Sequence, residues 1–114
     1  MPRGFSFRQA RDSEIEHMKA GHLSKVPPED MTNLKASHMQ HLQPEAMKGL
    51  RAEHMEKIPP ETMGGFRAQH FEKMLPETMS GLRGSQAENI TDEAISGLKA
   101  SHIAHILPEV RPHF

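Results

Sequence analysis

Histidine is the residue in this chain best able to do chemistry, and it recurs at a fixed interval. His22, His38, His54 and His70 stand sixteen residues apart, Gln86 takes the next position, and His102 the one after. Imidazole binds zinc, copper and nickel, and it titrates near neutral pH. Methionine follows directly in His38-Met39 and His54-Met55, and thioether sulfur suits Cu(I). His38, His54, His70 and His102 are therefore the candidate metal ligands. Against metal, neighbours in sequence point apart on a helix, and packed helices lie about 8–10 Å apart. Row members would share an ion only if their side chains leaned together, and Gln86 interrupts the row. The structural expectation is a ladder that hydrogen-bonds backbone between coils. If such histidines are buried and neutral, stability falls as pH drops below the unfolded value near 6.5. His17, His41, His105 and His113 lie off the row. The pairs His38/His41 and His102/His105 have helical spacing but no third ligand, and read as surface side chains.

Two charged rows share the sixteen-residue step. One is basic: Lys19, Lys35, Arg51, Arg67, Arg83 and Lys99. The other is acidic: Glu29, Glu45, Glu61, Glu77, Glu93 and Glu109. They suggest a banded surface, with Lys35, Arg51, Arg67, Arg83, Lys99, Glu45, Glu61 and Glu77 as candidate contacts for a protein partner or a second copy. The plainer expectation is solvated charge and helix-dipole partners, each worth about a few tenths of a kcal/mol. Carboxylates doing acid–base work would need a cleft to raise one pKa, and a thin stack offers none.

Composition removes other classes. The 114 residues hold 14 basic and 15 acidic side chains, a net charge of −1 that does not favour nucleic acid or an anionic membrane. There is no cysteine, so no disulfide or cysteine-zinc site. Without Trp or Tyr there is no base-stacking platform. No apolar run reaches membrane-span length, and no signal peptide is legible, which favours a cytoplasmic location. No phosphate loop, dinucleotide fingerprint, HExxH or EF-hand sequence occurs. Asn89-Ile90-Thr91 matches a glycosylation acceptor but has no secretory leader to give it meaning.

The elements that must position these rows follow from the same period. Met31, Met47, Met63, Met79 and Ile95 keep it, as do Leu34, Leu50, Phe66, Leu82 and Leu98. One unit reads P-E-x-M-x-G-L-[KR]-A-x-H-M-x-x-L plus one linking residue. Its apolar residues step three, five, three, five, so the pattern nearly repeats every eight. Eight residues turn an α-helix by about 800°, or 80° past two full turns. A continuous helix would smear its apolar face, so the chain must bend every half unit. Proline at 28, 44, 60, 76 and 108 starts each first half. Five residues on, Asn33, Gly49, Gly65, Gly81 and Gly97 are expected as left-handed C-caps. The expectation is a short helix from Pro44 to about Lys48 and another from about Ala52 to Lys57. The rival is one amphipathic helix of about thirteen residues per unit, at a cost of about 1 kcal/mol per internal glycine.

The segments "LQPEAMKGL" and "ITDEAISGL" resemble the short L-x-P-E-x-I-x-x-L tandem repeats of some large microbial proteins, over about residues 15–110. The histidine and methionine positions depart from the glutamine and isoleucine usual there. The resemblance implies a repetitive scaffold and no defined activity. The resulting expectation is all-α: tandem sixteen-residue repeats, two short helices each, stacked as a small helical solenoid over residues 11–114. Residues 1–10 form a poorly ordered tail in this reading. With nine methionines and only 21 Leu, Ile, Val and Phe, methionine must fill much of the core. The expected function is a non-enzymatic scaffold for protein–protein interaction or self-assembly, with no cofactor. The alternative is a His/Met-rich transition-metal binder for Cu, Zn or Ni.

Overall fold

A proline at the first turn and an extended residue after the last divide this chain into short helices. The computed structural model describes residues 5–114. In order the elements are α1 (Asp12–Glu16), α2 (Ala20–Leu23), the 3-10 helix η1 (Pro28–Asn33), α3 (Ala36–Met39), η2 (Pro44–Gly49), α4 (Ala52–Lys57), η3 (Pro60–Gly65), α5 (Ala68–Lys73), η4 (Pro76–Gly81), α6 (Gly84–Ala87), α7 (Asp92–Ile95), α8 (Ala100–Ala104) and η5 (Arg111–His113). Among the described residues there is no strand. The sequence expectation of two short helices per sixteen residues holds, with the first of the pair tightened to 3-10 geometry in the four copies that open on Pro28, Pro44, Pro60 and Pro76.

The local causes are visible in one unit. Gln43 sits at φ −69°, ψ 140°, the extended conformation that a following proline enforces, and Pro44 then opens η2. Leu50 is extended (φ −80°, ψ 129°), as is Arg51 (φ −108°, ψ 171°), so the chain turns before α4 begins. Ile58 is extended again ahead of Pro59 and Pro60. In the sixth copy Asp92 replaces the proline. There Thr91 caps the helix by accepting from the Ala94 N–H, and the segment is α-helical rather than 3-10.

Each segment packs chiefly on the one three segments away. Thus α4 lies against η1 and η4, α5 against η2 and α7, and α3 against η3. A segment's main partner is therefore not its counterpart in the next copy. The molecule measures 39 × 23 × 22 Å. Its interior is the methionine core the composition demands: Met18, Met31, Met39, Met47, Met55, Met63, Met74 and Met79 are all buried, with Leu34, Leu50, Phe66, Leu82 and Ile58. Phe66 and Phe71 stack at 5.3 Å where the preceding copy carries Leu50 and Met55.

The repeated glycines are not left-handed caps, which corrects the sequence expectation. None has a positive φ; what they provide is close approach. A Cβ on Gly49 would stand 2.0 Å from the carbonyl oxygen of Ala20, and the same holds for Gly65 on Ala36, Gly81 on Ala52 and Gly97 on Ala68 at 2.0–2.4 Å. Each pair is 29 residues apart. Backbone meets backbone there, and only glycine leaves room. At the next such pair the small residue changes sides. Gly84 stands where the other copies have alanine, and His113 lies opposite, its Nε2 3.2 Å from where a Cβ on Gly84 would be.

Residues 5–10, placed in the N-terminal tail by the sequence reading, include the buried Phe7. The Asp30 carboxylate accepts the Phe7 N–H at 2.9 Å and the Ser6 hydroxyl at 2.6 Å. Residues 1–4 of that tail lie outside the described residues.

Candidate functional site

The histidine row occupies the third position of each second-half helix, where a side chain can reach back to the orphan N–H of the residue that opens the helix. In α4 the Arg51 N–H donates to His54 Nδ1 at 3.0 Å. The same bond joins Lys19 to His22, Lys35 to His38, Arg67 to His70 and Lys99 to His102, at 2.9–3.0 Å. Because a backbone N–H only donates, Nδ1 must accept, and the proton of the neutral ring sits on Nε2. That Nε2–H then donates to a main-chain carbonyl 28 residues earlier: His54 to Val26 at 2.7 Å, His70 to Leu42 at 2.9 Å, His102 to Met74 at 2.7 Å. All three rings are 2% exposed.

Gln86 explains itself in this setting. Its Oε1 accepts from the Arg83 N–H at 2.8 Å, and its Nε2 donates to Ile58 O at 2.8 Å, again 28 residues back. It adds a bond to Met55 O at 2.7 Å. The inner positions need a side chain that accepts at one end and donates at the other, which imidazole and carboxamide both do. Glutamate accepts only, and it appears where nothing further must be reached: Glu14 takes the Arg11 N–H at the start of the chain. Threonine does half of this work in the 3-10 segments. Thr62 donates to Leu34 O at 2.6 Å and Thr78 to Leu50 O, both across 28 residues. No buried side-chain N or O among the described residues lacks a hydrogen-bond partner.

The four candidate metal ligands therefore do not converge. In His54, His70 and His102 both ring nitrogens are engaged by backbone. His38, half-buried, uses Nδ1 on Lys35 and lies 5.9 Å from the Phe7 ring. Among the described residues no three His, Asp or Glu side chains come together in a metal-sized group. Off the row, His41 lies between Asp12 (3.4 Å) and Glu16 (3.2 Å) on the surface. Burial pushes the His70 pKa down, with the nearby Arg67 charge adding to it and the bond to Leu42 opposing. Burial likewise lowers His38, helped by Lys35.

All eight candidate interaction residues are exposed: Lys35, Arg51, Arg67, Arg83, Lys99, Glu45, Glu61 and Glu77. Glu45 pairs with Lys48 at 3.1 Å and Lys73 at 3.3 Å, and those bonds hold its carboxyl below the ordinary carboxylate range. Among the described residues the others form no ion pair within 4 Å. The two rows nonetheless meet across segments. Arg51 and Glu77 line one shallow groove of about 240 Å³, and Arg67 lines another of about 400 Å³ with Glu93. Sequence reasoning missed Thr62 and Thr78, which make the same 28-residue reach to a carbonyl as the histidines. The clue was present, since both sit eight residues after a row member.

Among known proteins, no family, no curated protein and no solved structure matches this chain.

Proposed function

We propose that this chain is a non-enzymatic helical repeat scaffold, wound as a solenoid, that recognises a protein partner through its exposed charged rows. The observation that carries the reading is the constant clasp interval: His54, Thr62, His70, Thr78, Gln86 and His102 each reach back 28 residues to a carbonyl. With an eight-residue segment, that interval corresponds to three and a half segments per turn. Repeats add by rule in such an architecture, and each contacts only near neighbours. The buried polar side chains are spent on holding turns together, so the outward Lys, Arg and Glu are the groups left to meet a partner.

The winding also redistributes the rows. A sixteen-residue step is somewhat more than half of a 28-residue turn. In this reading Lys35, Arg67 and Lys99 lean to one side, and Arg51 and Arg83 to the other. The lateral surface is then two mixed-charge faces rather than one stripe. Contacts of this kind set association rate and specificity more than raw affinity, and they weaken with salt.

The test is capture from the native cell with the chain as bait, beside R67E/K99E and R51E/R83E variants. Reversals on exposed positions should leave the melting curve unchanged. Loss of the same captured protein in one double variant, with retention in the other, supports a one-sided charged interface. Capture indifferent to both variants and to salt overturns it.

A further inference from the structure

The grooves between segments are not alike, although the repeat would make them so. Two depressions, of about 180 Å³ and about 400 Å³, are both lined by Gln40 and Arg67 and so join into one groove. Gly64 forms part of its floor, where four other copies carry Thr32, Lys48, Ser80 and Ser96. In the preceding copy the matching groove, of about 240 Å³, sets Arg51 beside Glu53 and Glu77.

Around Arg67 carboxamides replace those carboxylates. Gln69 stands where the preceding copy has Glu53, and Gln40 where the next three copies have Glu56, Glu72 and Glu88. Gln43 adds a third carboxamide, at the position of Pro27, Pro59 and Leu75. The chain has five glutamines, and three of them line this groove. Gln40, Gln43, Gln69 and Arg67 are all exposed. Among the described residues, none of the four side chains takes part in the hydrogen bonds and ion pairs that tie one segment to another. Glu93 lines only the larger depression, and it forms no ion pair with Arg67 within 4 Å.

An arginine without a carboxylate partner presents a planar fork of N–H donors that fits a carboxylate from elsewhere. A carboxamide holds an acceptor and a donor side by side, which complements the C=O and N–H of a main-chain peptide unit. The hydroxyls of Ser37 and Thr91 continue the neutral polar lining into the larger depression. Uncharged hydrogen-bonding groups thus flank Arg67 on both sides. A lone anion would leave them unused, whereas an extended chain crossing the groove engages them along its length.

We propose that this groove receives an extended segment of the partner protein, with one acidic side chain on Arg67 and main-chain amide groups on Gln40, Gln43 and Gln69. The proposal rests on the reading of the chain as a scaffold for a protein partner, and it narrows that reading to one groove and one ligand chemistry. Glu93 disfavours a second acid on its side, so a single acidic residue is expected rather than an acidic run.

Random peptides displayed on phage, selected on the immobilised full chain, test it. Enriched sequences should share one acidic position. A synthetic copy with both ends blocked should bind R67Q and Q40A/Q69A more weakly than the parent by about tenfold or more, and changing its acid to the amide should cost as much. K57Q, which removes an exposed charge outside the groove, should bind it as the parent does. All the substituted side chains are exposed, so the melting curves should coincide. No enrichment, enrichment without an acidic position, or binding indifferent to R67Q and Q40A/Q69A overturns the proposal. So does N-acetylglutamate methylamide binding as tightly as the whole peptide, since the site would then be a pocket for a single carboxylate. Capture from the native cell separates this proposal from the broader one, because Q40A/Q69A leaves every charge in place. A partner lost with R67E/K99E but kept with Q40A/Q69A leaves the charged faces standing and overturns the groove. Capture indifferent to all these variants, to R51E/R83E and to salt overturns both.

Discussion

His70 offers the sharpest test of the clasp, because the protein carries its own control sixteen residues later. Replacing His70 with alanine removes the acceptor for the Arg67 N–H and the donor for the Leu42 carbonyl. A buried carbonyl left without a partner costs about 1–3 kcal/mol, and loss of a helix-start bond about 0.5–2 kcal/mol. His70→Ala should therefore destabilise by about 2–4 kcal/mol, a drop in Tm of about 10–20 °C for a domain near this size. His70→Gln should behave differently, since Gln86 shows that a carboxamide closes the same gap at 2.8 Å on both sides. At pH 7.5 it should stay within about 1 kcal/mol of the parent chain. The two also separate with pH. The folded-state pKa of His70 is lowered, chiefly by burial, with Arg67 adding to the shift and Glu93 opposing it. The unfolded chain then takes up a proton below about pH 6.5 that the folded chain does not. The stability associated with neutral His70 is fully present above that pH and is lost as pH falls toward the lowered folded value. His70→Gln has no such proton, so its Tm relative to the parent should rise between pH 7.5 and 5.5. Differential scanning calorimetry at the two pH values reads both effects. If His70→Gln melts as low as His70→Ala at pH 7.5, or tracks the parent's pH dependence without change, the clasp is not what this residue provides.

Two further outcomes follow from the same geometry. Gly81→Ala puts a Cβ 2.1 Å from the Ala52 carbonyl oxygen and should cost more than about 2 kcal/mol, or prevent folding, because two backbones must separate. Gly64→Ala, seventeen positions earlier, meets nothing closer than 3.8 Å and should be neutral or raise stability by up to about 1 kcal/mol, as urea titration of the pair will show. A divalent or cuprous ion that bound the folded chain at a hundredfold excess over its Kd would raise stability by about 2.7 kcal/mol. Since the nitrogens of His54, His70 and His102 are bonded to backbone, melts with Zn(II), Ni(II), Cu(II) or Cu(I) should superimpose on the metal-free curve.

What the sequence made legible is what depends on neighbours in sequence. Proline opens a helix wherever it lies, so Pro44 and Ala52 were recognisable as starts, and the three-five apolar rhythm placed Met47, Leu50, Met55 and Ile58 inside. The histidine row was expected to hydrogen-bond backbone between coils, and His54 does so; the purpose of Gly49 and the identity of the carbonyl that His54 reaches were not legible. Both are set by residues 28 or 29 positions earlier, and that interval differs from the sixteen-residue period of the letters. It arises from how bent segments wind in space. A glycine after a short helix resembles a cap when only local conformation is weighed, and here the backbone of Ala20 decides it. Gln86 pointed the right way: metal ligation would not accept a carboxamide as an equal, whereas a relay of one acceptor and one donor does. The Gly84/His113 exchange was readable only once the pairing was known.

The uniform reach of these clasps bears on how the chain is made. No segment acquires its covering until its distant partner has been synthesised, and the clasp from His54 to Val26 cannot close before position 54 has left the ribosome. At about 5–20 residues per second, the intervening stretch stays open for a time on the order of seconds, with Met31, Met39 and Met47 bare to solvent. After that, each further eight residues supply the next closure, so the growing protein advances toward its native form by short regular increments behind an unprotected leading section of constant length.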